Sequence, residues 1–241
     1  LDLSDFLVHV FPIISLEILA AAIGTYYLKK NSVKLKSTKH LVFFLWLTVF
    51  VEVVGSYAPI AYFSDYELFS IVKDTEFANN YWWYNVYTVV SYSFYVLYFT
   101  SFLKNRYAKL SFHICVMTFL LSSILVFIFS DTFFNGYSPY LIIAGTFLLF
   151  LSVVFFYFEL LRSDMLLHLK RFLPFYISVG VLVFNLCVTP IELFVQYFNL
   201  EGGNELFVKL RSNVLFYANI FMYSTFIIGF LVCSKKKKSF Y

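Results

Sequence analysis

Four glutamates interrupt long apolar stretches of this chain: Glu17, Glu52, Glu159 and Glu192. An ionisable group inside a membrane is costly to keep and marks a functional position by default. Glu17 and Glu52 each lie roughly eleven residues into an apolar block, which at ~1.5 Å per residue is close to mid-membrane. The two blocks are joined by a short loop and are expected to be neighbours. Two carboxyls at one depth can share a proton and bind a cation or a polar ligand. The plainer alternative is that each is held by neighbouring backbone or hydroxyl groups. Glu192 closes the segment Thr189-Pro190-Ile191-Glu192. Proline removes a helical hydrogen bond and frees a carbonyl, so a kink beside a carboxylate could line an outward-facing cavity. The alternative is a glutamate snorkelling to the interface. Glu159 precedes Arg162 at the i, i+3 spacing of a surface ion pair.

Asn185 and Asn219 add uncharged polar groups to the sixth and seventh blocks, with Asn85 and Asn213 near block ends. Asparagine within a bundle serves as interhelical glue or lines a site. The candidate ligand- or proton-binding residues are therefore Glu17, Glu52, Asn185, Glu192 and Asn219. No catalytic residue, metal site or cofactor is expected. The histidines His9, His40, His113 and His168 form no HxxxH or HExxH pattern. Cys115, Cys187 and Cys233 lie far apart without a CxxC and read as small packing residues. Neither a Walker loop nor a Rossmann glycine pattern occurs.

The elements that must carry these residues are membrane helices. Of the 241 residues, 61% are hydrophobic and 13% charged, against about 25% charged in soluble domains. Mean hydropathy is +0.79. Seven apolar blocks are visible, at 6–28, 41–63, 84–103, 111–130, 141–161, 173–197 and 214–233. Each has the ~20 residues that a ~30 Å hydrocarbon layer requires. The expected fold is all-α: a single membrane domain over 1–241, built as a seven-transmembrane-helix bundle in the lipid bilayer. The first block ends in Lys29-Lys30 and lacks a basic leader, so it reads as an anchor rather than a cleavable signal. No segment is long enough for a separate soluble domain.

The net charge of +4 is a topology signal, not a nucleic-acid footprint. Lys29, Lys30, Lys34, Lys36 and Lys39 fall in one loop, Lys104, Arg106 and Lys109 in another, and Arg162, Lys170 and Arg171 in a third. Lys235, Lys236, Lys237 and Lys238 form the tail, and all four groups belong to one side. The other side holds only Lys73, Lys209 and Arg211 among basic residues, with Asp2, Asp5, Asp65, Glu67, Asp74, Glu76, Asp131, Glu201, Glu205 and the run Tyr81-Trp82-Trp83-Tyr84. The positive-inside rule places the C-terminus in the cytoplasm and the N-terminus outside. A short interfacial helix is expected at 66–72. A retinal receptor is excluded, because 214–233 contains no lysine for a Schiff base.

Blocks two and three also align with blocks six and seven. Pro59-Ile60 meets Pro190-Ile191, Asn85-Val86 meets Asn213-Val214, and Tyr95, Phe102 and Leu103 meet Tyr223, Phe230 and Leu231. This suggests a 3+1+3 parallel repeat, an arrangement found in small transporters with a site at the repeat interface.

The segments Glu159-Leu-Leu-Arg-Ser-Asp164, Arg171-Phe-Leu-Pro-Phe-Tyr-Ile-Ser-Val-Gly180, Tyr223-Ser-Thr-Phe-Ile-Ile-Gly-Phe230 with Ser234-Lys235-Lys236, and Tyr84-Asn-Val-Tyr-Thr88 resemble a family of small seven-helix membrane proteins common in Bacteroidota. The resemblance implies a bacterial inner membrane, with a periplasmic N-terminus, and assigns no activity, ligand or catalytic residue. Three functions compete on the sequence. The first is a non-enzymatic sensor core or an accessory subunit with a membrane-protein partner. The second is a small-solute or ion transporter using the mid-membrane glutamates. The third is an intramembrane enzyme acting on a lipid, with a glutamate as general acid.

Overall fold

The computed structural model describes residues 3–31, 36–195 and 204–234, with the side chains of 3–6, 9 and 31 outside that description. Asp2, Lys34, Glu201 and the lysines 235–238, which entered the charge count, lie outside the described residues, as do the side chains of Asp5 and His9. Among the described residues every regular element is helical: α1 (Leu3–Asn31), α2 (Lys36–Gly55), α3 (Tyr57–Phe63), α4 (Tyr81–Thr100), α5 (Arg106–Phe129), α6 (Thr132–Asn135), α7 (Pro139–Leu161), α8 (Leu173–Phe194) and α9 (Glu205–Cys233). Short 3-10 turns occupy Ser70–Val72, Glu76–Ala78 and Asp164–Arg171.

Among the described residues six stretches are long and apolar enough to cross a membrane: Val10–Lys30, Lys36–Phe63, Arg106–Phe129, Pro139–Leu161, Leu173–Phe194 and Glu205–Cys233. Their outward faces carry large apolar side chains, including Phe43, Phe50, Leu121, Ile128 and Phe147. Such a continuous apolar exterior belongs against lipid. Cys115 and Cys187 also sit on this exterior rather than in the packed interior.

The 20-residue α4 runs the length of the bundle beside them. Its start is tied to one end, where Asn85 Nδ2 donates to the carbonyls of Thr132, Phe133 and Gly136 at 3.2, 3.2 and 2.9 Å. Its finish is tied to the other, where the Ser101 and Ser37 hydroxyls meet at 2.8 Å and Phe102 packs on Phe156 and Phe172. It falls short in mean hydropathy because tyrosines and hydroxyl residues fill its inward face.

Neighbouring helices form a closed ring in the order α1, α2, α4, α7, α8, α9 and back to α1, and α5 packs outside against α4 and α7. Toward the basic end the ring is plugged by Phe99, Phe156, Phe226, Phe230 and Ile177, all almost fully buried. Close approach of α8 to α9 depends on Gly180, where an added Cβ would stand 2.9 Å from the Phe226 ring and 3.2 Å from the Met222 carbonyl.

Three expectations change. The second apolar block is not one helix: it breaks at Ser56, between α2 and α3. Within 66–72 the helix is confined to a 3-10 turn at Ser70–Val72, with left-handed backbone before it at Asp65, Tyr66 and Phe69 and after it at Asp74. Non-glycine residues with positive φ are strained in regular helix, which accounts for the interruption. The final helix starts at Glu205, about nine residues before the apolar block, so Lys209 and Arg211 are helical rather than in a loop. The two halves of the suggested repeat also differ in form, since Pro59 lies in the separate α3 whereas Pro190 stays inside α8.

Candidate functional site

A polar stripe runs along the inward face of α4, formed by Tyr84, Tyr87, Thr88, Ser91, Tyr92 and Tyr95. These positions follow the i, i+3, i+4, i+7 spacing of one helical face. On α8 the same geometry aligns Val181, Asn185, Val188, Thr189 and Glu192, and on α9 it aligns Arg211, Leu215, Asn219 and Met222. With Glu17 from α1 and Thr48 and Glu52 from α2, these faces enclose a cavity of about 340 Å³. That is within the ~300–1,000 Å³ range of small-molecule sites. All five residues singled out by sequence line this one cavity. It reaches from Glu17 and Tyr223 in mid-bundle to Tyr137 near the acidic, aromatic end.

Glu17 is 2% exposed, and its Oε2 has no hydrogen-bond partner. Tyr223 and Glu52 both lie near enough to interact with it electrostatically. Glu52 Oε2 accepts a 2.9 Å hydrogen bond from the Tyr84 hydroxyl. The helix break beside Glu52 is held in place by side chains: Asn80 Nδ2 donates to the Gly55 carbonyl at 2.8 Å, and Trp83 Nε1 to the Val51 carbonyl at 2.9 Å. Carbonyls at a helix end in a membrane need such donors. Gly55 leaves room for the approach of Tyr84, whose hydroxyl would be 2.6 Å from any Cβ there.

At the outer end of the cavity Arg211 clamps Glu192. Its Nε donates to Oε1 at 3.0 Å and its terminal Nη2 to Oε2 at 3.1 Å, the two-pronged geometry that guanidinium and carboxylate favour. The guanidinium also lies 5.9 Å from the Tyr137 ring centre. Arg211 is one of the site residues that the sequence reading does not single out, because it falls in an expected outer loop. Its spacing of four from Leu215 and eight from Asn219 was the available signal. The ion pair anticipated between Glu159 and Arg162 does not form, and Glu192–Arg211 is the pair found among the described residues.

The two asparagines are partly spent on their own helices. Asn185 Nδ2 donates to the Val181 carbonyl at 2.8 Å and Asn219 Nδ2 to the Leu215 carbonyl at 2.9 Å. A hydroxyl chain then joins three helices: Tyr92 to Thr146 at 2.8 Å, and Thr146 to Thr189 at 3.0 Å. Thr48 and Tyr87 pair at 2.7 Å. Asn85 stands apart from the cavity and serves as the anchor of α6 described above. Among the described residues no three His, Cys, Asp or Glu side chains gather as metal ligands. Two other hollows, one at the basic end around Phe102, Phe156 and Phe172 and one between α2 and α4 around Phe44 and Phe94, are lined mainly by aromatic and aliphatic side chains.

No protein-family model, curated protein or solved structure matches this chain. The functional reading therefore rests on the chemistry of the cavity itself.

Proposed function

We propose that this chain is a seven-span membrane protein that binds a small polar solute inside its helix bundle, as the core of a solute sensor. The observation that carries this reading is the convergence of Glu17, Glu52, Asn185, Glu192 and Asn219, from four different helices, on one cavity. Polar groups this costly to place in a bundle interior mark a ligand site. In this reading α4 is the seventh span. The N-terminus faces the periplasm and the lysine-rich tail faces the cytoplasm of a bacterial inner membrane, on the grounds of charge distribution and the resemblance noted above.

A second reading, transport, is favoured by the interruptions beside the cavity. The α2 helix breaks one turn after Glu52, and Pro190 lies in α8 two residues before Glu192. Discontinuous helices typically form a transporter's substrate site, and α2–α3 is such a helix here.

The test is thermal unfolding of the purified protein in lipid nanodiscs against cationic, anionic, zwitterionic and neutral small solutes. A solute at one hundred times its Kd stabilises by ~2.7 kcal/mol, which is expected as a rise of several degrees in the unfolding midpoint. No shift with any class overturns the binding reading. For a solute that does bind, uptake into proteoliposomes identifies a carrier, and its absence identifies a sensor.

A further inference from the structure

One polar atom in the cavity stands out. The Arg211 guanidinium gives two of its N–H groups to Glu192, and the Asn185 and Asn219 amides each give one to their own helices. The Tyr84 hydroxyl donates to Glu52. Glu17 Oε2, by contrast, is buried and without a partner, beside the Glu52 carboxyl. A buried polar atom left unmatched costs free energy until a partner arrives. Two neighbouring carboxyls favour a guest that brings donors or positive charge.

Two features choose among cations. About 340 Å³ is far more than a bare metal ion fills, and such an ion needs several oxygens closing on it at ~2–2.6 Å. The deep part of the cavity is also walled by the rings of Tyr84, Tyr87, Tyr95 and Tyr223. Aromatic walls around carboxylates are the setting in which alkylammonium groups are recognised. We infer that the guest is a small organic ammonium, its nitrogen at the Glu17–Glu52 carboxyls and its carbon skeleton toward Val188 and Met222. This deepens the solute-binding reading above and rests on it.

Calorimetry on the nanodisc protein at constant chloride provides the test, with n-butylammonium, tetramethylammonium, sodium, butyrate and butyramide as probes. Binding of n-butylammonium is expected, with at least a tenfold loss in Glu17→Gln and little or no binding of butyrate or butyramide. Failure of both ammonium probes to bind overturns the assignment. If butyrate or butyramide binds instead, the assignment falls while the cavity remains a binding site; if no solute of any class binds, both fall. Sodium binding with the same dependence on Glu17, without n-butylammonium binding, replaces an organic guest by an inorganic one and also overturns it. Should Glu17→Gln not fold, Thr88→Cys supplies an independent readout. Its modification by a cationic methanethiosulfonate should be at least tenfold faster than by an anionic one and should be slowed by n-butylammonium. Equal rates, or no protection, overturn the proposal.

Discussion

At the residue scale the site divides into a locked outer part and an unmatched inner one. Arg211 and Glu192 satisfy each other, so removing one exposes the cost of the other. Replacing Arg211 with Met leaves a carboxylate whose side chain is only 12% exposed without its partner. A fully buried pair broken this way costs ~3–5 kcal/mol. With 30% of the Arg211 side chain exposed, about 2 kcal/mol is expected, read as a lowered unfolding midpoint. The double variant Arg211→Met/Glu192→Gln should recover part of that loss, and strict additivity of the two single changes would show that the pair is not coupled. Gly55 couples stability to the site. An added methyl in Gly55→Ala meets the Tyr84 hydroxyl and ring and displaces the hydroxyl from Glu52. A loss of about 1–3 kcal/mol is expected, with solute binding weakened several-fold in calorimetry. A stability loss with unchanged binding would contradict it. Sequence alone singled out Glu17, Glu52, Asn185, Glu192 and Asn219, because a polar side chain in an apolar run is conspicuous. It did not single out the tyrosines of α4, which lower the apolarity of the helix but disclose a polar face only once the helix is seen in its ring.

At the element scale the open question is what fixes the outer end of α4, where the cavity begins. Asn85 is 1% exposed and holds three carbonyls of α6 and the turn that follows it. Asn85→Ala would leave those carbonyls short of a donor in a dry environment. A loss of about 1–3 kcal/mol is expected, together with faster hydrogen exchange over 131–138; unchanged exchange there would refute the anchoring role. The break between α2 and α3 belongs to the same scale. A continuous hydropathy signal over 41–63 predicts one helix, and the two pieces do remain on one apolar path. The break has a local cause in Pro59, which has no N–H for the Gly55 carbonyl four residues back. That carbonyl is satisfied instead by Asn80, and Trp83 bonds the Val51 carbonyl beside it; these distant partners are what no local pattern announces. The early start of α9 escaped notice for a related reason. Its first turns are polar, carrying Glu205, Lys209 and Arg211, and hydropathy marks where a helix enters lipid rather than where it begins.

For the whole molecule, the issue is whether α4 crosses the membrane. Six helices qualify by length and apolarity, and an even number of spans would put both ends of the chain on one side. The orientation proposed above needs an odd number, with the acidic N-terminal segment and the basic 104–109 segment on opposite sides. Packing explains how α4 can cross despite its tyrosines. It is enclosed by α2, α5 and α7, so protein and cavity rather than lipid surround its hydroxyls. Residues that flank α4 decide the matter. In a background with Cys115, Cys187 and Cys233 replaced by Ala, a single cysteine is placed at Asp74, before α4, or at Lys104, after it. A membrane-impermeant maleimide applied to spheroplasts should label Asp74→Cys at once and Lys104→Cys only after permeabilisation. Equal labelling of the two would mean that α4 does not cross. That outcome would remove the seventh span and the proposed orientation together, and with them the assignment of the cavity mouth to the periplasmic side.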